Sequence, residues 1–406
     1  MPEKTYELTM GSMRRCFLPI GQGAFYCERF FLEEGKSLNV VFDCGALPAS
    51  GMRRCLKDVL PAALGGDNTI HLMFLSHLHE DHVNGVEELR NKYNITIKEI
   101  RYPAINPDEQ LLMKYWFLSN GQQNGLAYAL CMDHPRGTGY ARLQGTNLIP
   151  IPSTPSPEEP ENGADNSNSN SNILKLSDLV VSSGIVANAD IENMFPEWEF
   201  RTFNYLKAKE RQELKDKLAV ILPPGENVTN ENLDKQWRKP SGKKAIKDAY
   251  AEIPGGFNAN SMTVFSGPVT GDWEHWHQML ECCHKPPCHM NAELAPTKPG
   301  CLYTGDYDAS SDERWKALSD RYSDCWERIG CLQIPHHGAC LNFNKAFLEL
   351  DAIFVASAGA HNRFGHPNAC VQLAFQQKNK HLFCVTENLK SCLCTSVSFS
   401  LYFVAQ

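Results

Sequence analysis

Three histidines and two carboxylates fall within the six residues from His77 to His82. Imidazole and carboxylate groups are common ligands of zinc, manganese and iron. In extended backbone His77 and His79 point the same way, because side chains two residues apart share a face. Asp81 and His82 follow where the chain turns, so they can face a second position nearby. One pair for each cation predicts a two-metal site, the usual arrangement for hydrolysing phosphate esters.

This cluster lies between a predicted strand and a predicted helix. The apolar run 70–75 before it indicates a buried strand, and residues 86–90 after it indicate the start of a helix. A strand end that turns into a helix can hold several side chains at one edge of a sheet. An ordinary polar loop that happens to contain three histidines is the alternative, and the buried strand directly before the cluster argues against it.

Asp or His also follows four further predicted strands, at Asp43, Asp306, His336 with His337, and His366. The carboxyl ends of strands are where α/β folds place their sites. An ionised Asp306 can bridge two cations, because each carboxylate oxygen can serve a different metal. Which of His336 and His337 binds metal stays open, because neighbours on a strand point to opposite faces. Asp43, taken alone, also fits a plain turn at a strand end.

The motif at residues 77–82 resembles the His-x-His-x-Asp-His signature of the metallo-β-lactamase-fold hydrolases. The order of motifs is most similar to one branch, the hydrolase domain of the competence DNA-uptake channel (ComEC-type) family. The other matching elements are Phe42-Asp43-Cys44-Gly45, Asn258-Ala259-Asn260-Ser261, Thr304-Gly305-Asp306, Pro335-His336-His337-Gly338 and Asn362-Arg363-Phe364-Gly365-His366-Pro367. The resemblance implies the αββα sandwich of the α/β class, with insertions. The channel's membrane helices are absent, and a further metal-binding His of many members has only His134 as a candidate.

Resemblance and chemistry together predict a dinuclear centre with two divalent metal ions, zinc or manganese. The predicted metal ligands are His77, His79, Asp81, His82, Asp306 and His336. Asp81, His337 and His366 are the predicted catalytic residues, and His366 is expected to protonate or stabilise the leaving oxygen. The family role of Asp43 is to orient and support the ligands. Asn260 and Ser261 are expected to position the site loops.

Composition limits the number of domains, the partners and the compartment that we expect. The chain has 406 residues and 42% hydrophobic content, enough for a large core, and we predict one domain over 1–406. The net charge of −8 does not by itself indicate a nucleic-acid binder. No run of eighteen apolar residues predicts a membrane span, and the N-terminus lacks the apolar core of a signal peptide. We therefore expect a cytoplasmic protein whose sixteen cysteines are reduced.

Charge is nevertheless uneven along the chain. Residues 201–247 hold twelve Lys or Arg against six Asp or Glu. The predicted nucleic-acid-binding residues are Lys235, Arg238, Lys239, Lys243 and Lys244, which lie beside Trp237. A basic patch with an aromatic residue suits a phosphate backbone. A solvated charged surface is the alternative.

Two segments are expected to be insertions. Residues 151–172 run from a proline-rich stretch into Asn-Ser repeats, which cannot bury a core and predict a disordered loop. Residues 270–299 contain Cys282, Cys283, His284, Cys288 and His289. These residues could bind a structural zinc, although their spacing fits no closed four-ligand module well. Between the two insertions we predict strands near 179–181 and at 198–203.

These features predict a metal-dependent hydrolase, with a nuclease or phosphodiesterase activity implied by the resemblance. Nucleic acid or another phosphodiester is the expected substrate, and no membrane partner or particular protein partner is expected. Three alternatives stay open. The substrate could be a small phosphodiester such as a cyclic nucleotide, or it could contain a thioester, lactam or lactone bond. The chain could also be an inactive binding module, which the complete set of ligands argues against.

Overall fold

The computed structural model describes most of the chain. The described ranges are 5–32, 35–105, 107–120, 126–132, 143, 145–153, 172–184, 197–205, 208–252, 261–269, 276–282 and 298–404. Most of the predicted loop at 151–172 lies outside these ranges, as do Asn260, His134 and the Cys/His-rich residues 283–289. Every structural statement below concerns the described ranges.

Strands and helices follow the alternation expected of the α/β class. The strands are β1 (Thr5–Phe17), β2 (Gly23–Phe31), β3 (Ser37–Ala46), β4 (Thr69–Phe74), β5 (Thr96–Pro103), β6 (Asn147–Ile151), β7 (Ile173–Lys175), β8 (Trp198–Phe203), β9 (Thr263–Pro268), β10 (Trp276–Cys282), β11 (Gly300–Tyr303), β12 (Ile329–Gln333), β13 (Ile353–Ser357), β14 (Leu382–Val385) and β15 (Leu393–Val404). The α-helices are α1 (Ala49–Asp58), α2 (Leu60–Ala63), α3 (Glu80–Val83), α4 (Val86–Asn91), α5 (Pro107–Asn120), α6 (Leu126–Met132), α7 (Leu176–Ser182), α8 (Ala208–Ile221), α9 (Asn230–Trp237), α10 (Pro240–Ala251), α11 (Asp312–Arg321) and α12 (Ala369–Gln377). Short 3-10 turns cover Trp326–Arg328, Pro335–Gly338, Lys345–Glu349 and Leu389–Ser391.

The strands form two sheets. One has the order β10-β15-β1-β2-β3-β4-β5-β6, and the other has the order β14-β13-β12-β11-β9-β8-β7. In the first sheet β3 to β6 run parallel, and in the second β11 to β14 run parallel. Parallel strands bring their carboxyl ends to one edge of a sheet. The predicted metal ligands follow β4, β11 and β12, and Asp43, which is predicted to support them, lies near the end of β3. The predicted α/β class with two sheets and helices is confirmed.

Three hydrophobic layers hold the sandwich together. The central layer fills the space between the sheets and includes Phe42 and Phe74 of the first sheet and Tyr303 of the second. The Phe42 ring stacks on the Tyr303 ring with their centroids 3.8 Å apart. A second layer packs the first sheet against α1 to α6, and a third packs the second sheet against α11 and α12. Strand β3 is buried over nearly its whole length, as expected for a strand covered on both faces.

Helix α1 shows how the outer layers form. Its residues Met52, Cys55 and Leu56 are buried, and Arg53 and Arg54 between them are exposed. This spacing of three and four residues places one apolar stripe against the sheet. No helix within the described ranges combines the length and apolar character needed to cross a bilayer.

Four helices form a smaller core of their own. Leu111 and Tyr115 of α5 pack with Leu214 of α8, Leu233 of α9 and Ile246 of α10. Together these helices, α5 and α8 to α10, are called the helical module below. It contains the basic stretch that the sequence singled out.

Two local predictions were wrong. Residues 179–181 lie in helix α7 rather than in a strand, and the buried residues Leu176, Leu179 and Val180 have helical spacing. The cysteines are not all reduced, because disulfides join Cys16 to Cys394 and Cys340 to Cys370. Cys16 and Cys394 are direct partners in the register of β1 and β15, a pairing across 378 residues that their sequence positions do not reveal.

A buried ion pair lies between the two sheets. The Arg15 Nε atom donates to Glu28 Oε1 at 2.8 Å, and both side chains are fully buried. The hydroxyl groups of Tyr303 and Ser266 donate to the Glu28 carboxylate, and the Arg15 guanidinium also donates to the carbonyl oxygen of Pro299. Each charge is therefore compensated only while the other is present.

We expect Arg15→Met to lower the free energy of unfolding by about 3–5 kcal/mol, because it leaves Glu28 charged and unpaired in the core. Urea denaturation followed by circular dichroism measures this change. Arg53→Ala is the matched control: it removes an exposed Arg–Glu pair with Glu88 and should cost about 1 kcal/mol or less. Equal losses in the two variants would contradict the importance of the buried pair.

Candidate metal centre

The His77–His82 motif spans the end of the turn after β4 and the first three residues of the short helix α3. His79 is the residue directly before the helix and has extended backbone, with φ −79° and ψ 153°. Helix α3 packs directly on the end of β3 at Gly45. A Cβ atom at Gly45 would lie 2.6 Å from the His82 backbone nitrogen, so this close approach requires glycine.

Asp43 connects the end of β3 to this turn. Its Oδ1 atom accepts from the Ser76 backbone N–H at 2.7 Å, and its Oδ2 atom accepts from the Ser76 hydroxyl at 2.7 Å. Oδ2 also accepts from His82 Nδ1 at 2.8 Å. The bond fixes the proton of His82 on Nδ1 and leaves Nε2 free to face the centre. The contact is compatible with the supporting role that the resemblance implies for Asp43, and that role stays a prediction.

Asp306 follows β11 and lies at the middle of the cluster. Its Oδ1 atom is 3.3 Å from His82 Nε2 and 3.8 Å from His337 Nε2. Its Oδ2 atom is 3.6 Å from His77 Nε2 and 3.5 Å from His336 Nε2. The two oxygens of one carboxylate therefore face different histidines, which is the geometry that a bridging ligand needs.

Ser261 and Gln333 hold the Asp306 loop. The Ser261 hydroxyl accepts from the Asp306 backbone N–H at 2.8 Å and lies 3.5 Å from His77 Nδ1. The Gln333 side chain accepts from the backbone N–H groups of Thr304 and Gly305, and it donates to the Gly305 carbonyl oxygen. Gln333 was not among the predicted site residues, although an amide within an otherwise apolar strand is a usable signal.

His336 and His337 lie in a 3-10 turn rather than on a strand, and both have positive φ values of 47° and 58°. The strand rule of opposite faces therefore does not apply to them. His337 Nδ1 donates to the Ser357 carbonyl oxygen at 2.9 Å, and its Nε2 atom is 3.4 Å from Asp81 Oδ2. His336 Nδ1 bonds Asn342 Oδ1 at 2.9 Å. Both rings thus direct Nε2 towards the carboxylates.

The side chains form two groups that can each hold a cation. One group is His77, His79 and Asp306, and the other is Asp81, His82 and His337; within each group the ligand atoms lie within 4.8 Å of one another. His337, which we predicted as catalytic, belongs to the second group. His336, which we predicted as a ligand, belongs to neither and is more exposed, at 25% of its side chain.

Unpaired polar atoms test whether metal ions fit here. Within the described residues, the Nε2 atoms of His77, His82 and His337 and the Oδ1 atom of Asp306 are buried without a hydrogen-bond partner. Buried polar atoms without partners are costly, and these four converge on the same space. They are also common ligands of divalent cations, so the donor set fits two such ions.

The pKa values of the histidines point the same way. Burial, with His82 nearby, lowers the pKa of His77 well below its usual value, and burial lowers the pKa of His79 to about 4. Both rings are therefore neutral at pH 7, as metal ligation requires. Burial also opposes the charged form of His82, but Asp306 and Asp43 outweigh it and raise the pKa of His82. The carboxylates thus attract positive charge to this space.

His366 approaches the centre from the loop after β13. Its ring centroid is 5.5 Å from that of His336 and 6.1 Å from that of His337. Burial, followed by His337 and His336, lowers the pKa of His366 to about 4. The neutral ring can stabilise a leaving oxygen through its N–H group. It lacks the second proton that a general acid gives up, so the stabilising role fits better than the protonating one.

The helical module touches the centre through Trp116 of α5. The Trp116 ring stacks on the His79 ring at 4.8 Å with an interplanar angle of 16°. Tyr115, the preceding residue, packs inside the module. Trp116 was not among the predicted site residues. His79 and Trp116 are 37 positions apart, so no local sequence pattern predicts their contact.

The basic residues lie on α9, on α10 and in the short link between these helices. Lys235 pairs with Glu231 at 2.8 Å, and Lys244 pairs with Asp248 at 2.7 Å, each within its own helix. Lys243 Nζ lies 5.1 Å from the Trp237 ring centroid. The remaining two predicted residues, Arg238 and Lys239, are exposed. Their role in binding nucleic acid stays a prediction.

We expect Asp43→Asn to weaken metal binding by about 10- to 100-fold, because it removes the charge that orients His82. Asn tolerates the positive φ of 55° at this position, so the backbone should be retained. Competition with a chelator measures the affinity. Asp58→Asn on the exposed end of α1 is the control, and equal affinities in the two variants would contradict the supporting role.

Comparison with known proteins gives one family match and a likeness to solved structures. Residues 30–166 match the model described as the Metallo-beta-lactamase superfamily. No curated protein sequence matches the chain. The solved structure of the metallo-beta-lactamase fold protein YhfI from Bacillus subtilis is similar at 10% identity and a TM-score of 0.36, over 97% of this chain and 100% of that one. A long form RNase Z from yeast is similar at 13% identity and a TM-score of 0.22, over 50% of this chain and 28% of that one. The family match covers residues 30–166, about a third of the chain.

Proposed function

We propose that this protein is a metal-dependent phosphodiesterase that cleaves nucleic acid. The observation that carries the proposal is the convergence of His77, His79, Asp81, His82, Asp306 and His337 into two adjacent ligand groups. Proteins of the matched superfamily are generally hydrolases. Paired metal sites suit an in-line displacement at phosphorus. The choice of a phosphodiester rests on the motif resemblance and not on the fold.

His77, His79 and Asp306 would hold one divalent cation, and Asp81, His82 and His337 the other, with Asp306 between the two groups. Bound cations of this kind lower the pKa of water and neutralise charge that develops on phosphoryl oxygens. Zinc and manganese both suit this mixture of imidazole and carboxylate ligands.

The surrounding residues keep these ligands in place and fix which ring nitrogen of His82 and of His337 carries a proton. Asp43 holds the His82 proton on Nδ1, and the Ser357 carbonyl does the same for His337. Gln333 and Ser261 fix the backbone from which Asp306 projects. His366 is the nearby neutral ring whose N–H group can stabilise the leaving oxygen. Each of these contacts reduces the motion of a group that must act at a fixed distance.

Two features support a polymeric substrate over a small one. The helical module carries the exposed Arg238 and Lys239, which suit a phosphate backbone. The same module presents the half-buried Trp116 beside His79, where an aromatic face can stack on a base. A cyclic nucleotide would need no such extended basic surface.

We expect His79→Ala and Asp81→Ala each to lower turnover by at least about 100-fold, because each removes a ligand from one metal group. Hydrolysis of DNA, RNA and bis(p-nitrophenyl) phosphate should be measured with manganese, zinc or magnesium, together with the metal content. His381→Ala, an exposed residue beside β14, is the matched control. Full activity in both ligand variants, with the fold intact, would remove the metal-hydrolase proposal.

We expect the double variant Arg238→Ala, Lys239→Ala to raise the KM for DNA or RNA more than the KM for bis(p-nitrophenyl) phosphate. Each lost phosphate contact should also reduce the slope of log affinity against log salt by about 1. The comparison is made across a range of salt concentrations. The control is Lys378→Ala, because Lys378 is exposed and pairs with Glu349. An unchanged salt slope would argue for a small substrate.

A further inference from the structure

A pocket of about 260 Å³ lies beside the metal centre. It is bounded by the turn at 20–22, the first turn of helix α1, the loop at 359–362 and Glu387. This space is called the α1 pocket below. Pockets that enclose a whole drug-sized ligand have about 300–1,000 Å³, so the α1 pocket suits a single ring system.

The α1 pocket has one apolar side and several polar groups. Leu47 and Pro48 supply the apolar surface, and the Leu47 side chain remains 39% exposed. Such an exposed large side chain is available to a ligand that covers it. A flat apolar group can therefore bury surface here without any change in the protein.

The polar groups offer both donors and acceptors. Arg54 Nη2 donates to the Glu387 carbonyl oxygen at 2.7 Å, which places the guanidinium at the rim. The Glu387 carboxylate accepts from the Ala360 N–H at 3.0 Å and also lines the pocket. Arg54 and Glu387 carry opposite charges, so together they add no net charge to the pocket lining. This balance disfavours a second phosphate and favours a neutral group with donors and acceptors on its edge.

Gln22 connects the α1 pocket to the catalytic side. It is only 4% exposed, and one end of its amide lies 3.4 Å from His366 Nδ1. The other end has no hydrogen-bond partner among the described residues, although Gln22 lines the pocket. A buried amide with one unpartnered end is costly unless a ligand completes it. A ligand in the pocket would thus be one side chain away from His366.

We propose that the α1 pocket binds a nucleobase of the substrate, from the nucleotide next to the scissile phosphate. This inference rests on the phosphodiesterase function proposed above. A base has an apolar face that can cover Leu47 and Pro48. Its edge carries the mixed donors and acceptors that match Arg54, Glu387 and the free end of Gln22. The link through Gln22 to His366 places the attached phosphate towards the metal centre.

Binding of uncharged nucleosides tests the pocket without requiring turnover. Adenosine, guanosine, cytidine and uridine are titrated into the metal-loaded full chain, and binding is followed by ligand-observed NMR. We expect saturable binding of at least one nucleoside. Arg54→Ala should weaken it by about tenfold, since a hydrogen bond to a charged group is lost. Arg53→Ala is the matched control, because the neighbouring Arg53 binds Glu88 and does not line the pocket.

A second variant distinguishes a loss of binding from a loss of folding. Leu47→Ala shortens an exposed apolar side chain and should weaken binding by about threefold, which follows from the smaller apolar contact. Inorganic phosphate serves as the rival ligand. Saturable phosphate binding that depends on Arg54, with no nucleoside bound, would overturn the base pocket, and so would equal effects of Arg53→Ala and Arg54→Ala.

Hydrolysis of bis(p-nitrophenyl) phosphate is measured in the same preparations and separates the two proposals. Hydrolysis without any nucleoside binding would overturn the base pocket and leave the phosphodiesterase in place. Nucleoside binding that is sensitive to Arg54, without hydrolysis of any phosphodiester, would support the pocket and remove the phosphodiesterase. We expect both nucleoside binding that is sensitive to Arg54 and hydrolysis of the phosphodiester.

Discussion

The buried carboxylate of Asp306 is the constraint on which the site depends. It is 1% exposed and faces the Nε2 atoms of four histidines. A charge this far from water is retained only where positive charge or strong donors compensate it. The nearby histidines compensate it unequally, because His77 stays neutral while His82 is drawn towards its charged form. Such a group of side chains is poorly satisfied by itself and suits divalent cations.

The sandwich makes this arrangement possible because it brings the ends of both sheets together. The residues after β3 and β4 belong to the first sheet, and those after β11 and β12 belong to the second. Aromatic packing of Phe42 on Tyr303 joins the sheets one residue before Asp43 and three before Asp306. Rigid packing close to the ligands restricts their positions, which is the main contribution a protein makes to a metal site.

Much of the centre could be predicted from the sequence because its ligands lie in short motifs at strand ends. His77 to His82, Asp43 and Asp306 are adjacent to apolar runs that indicate strands. The contacts of Gln22 with His366 and of Trp116 with His79 could not be predicted in this way. Gln22 and His366 are 344 residues apart, and only the folded chain brings them together. Helix α7 was missed because a short apolar run fits a strand and a buried helix equally well. The roles of His336 and His337 were ambiguous because an extended strand was assumed where the chain makes a turn with positive φ.

The centre and its surroundings determine different aspects of function. The histidines and carboxylates determine which chemistry is possible, and many substrates are compatible with the same set. Selection among substrates requires groups that touch parts of the molecule away from the reacting bond. Two groups of this kind reach the centre through single side chains: Trp116 links the helical module to His79, and Gln22 links the α1 pocket to His366. Because Trp116 touches a ligand and Gln22 touches a ring beside the ligands, substrate contacts at either place can alter the geometry at the metal centre. Under the proposed function, substrate selection and catalysis would be coupled through these two short contacts.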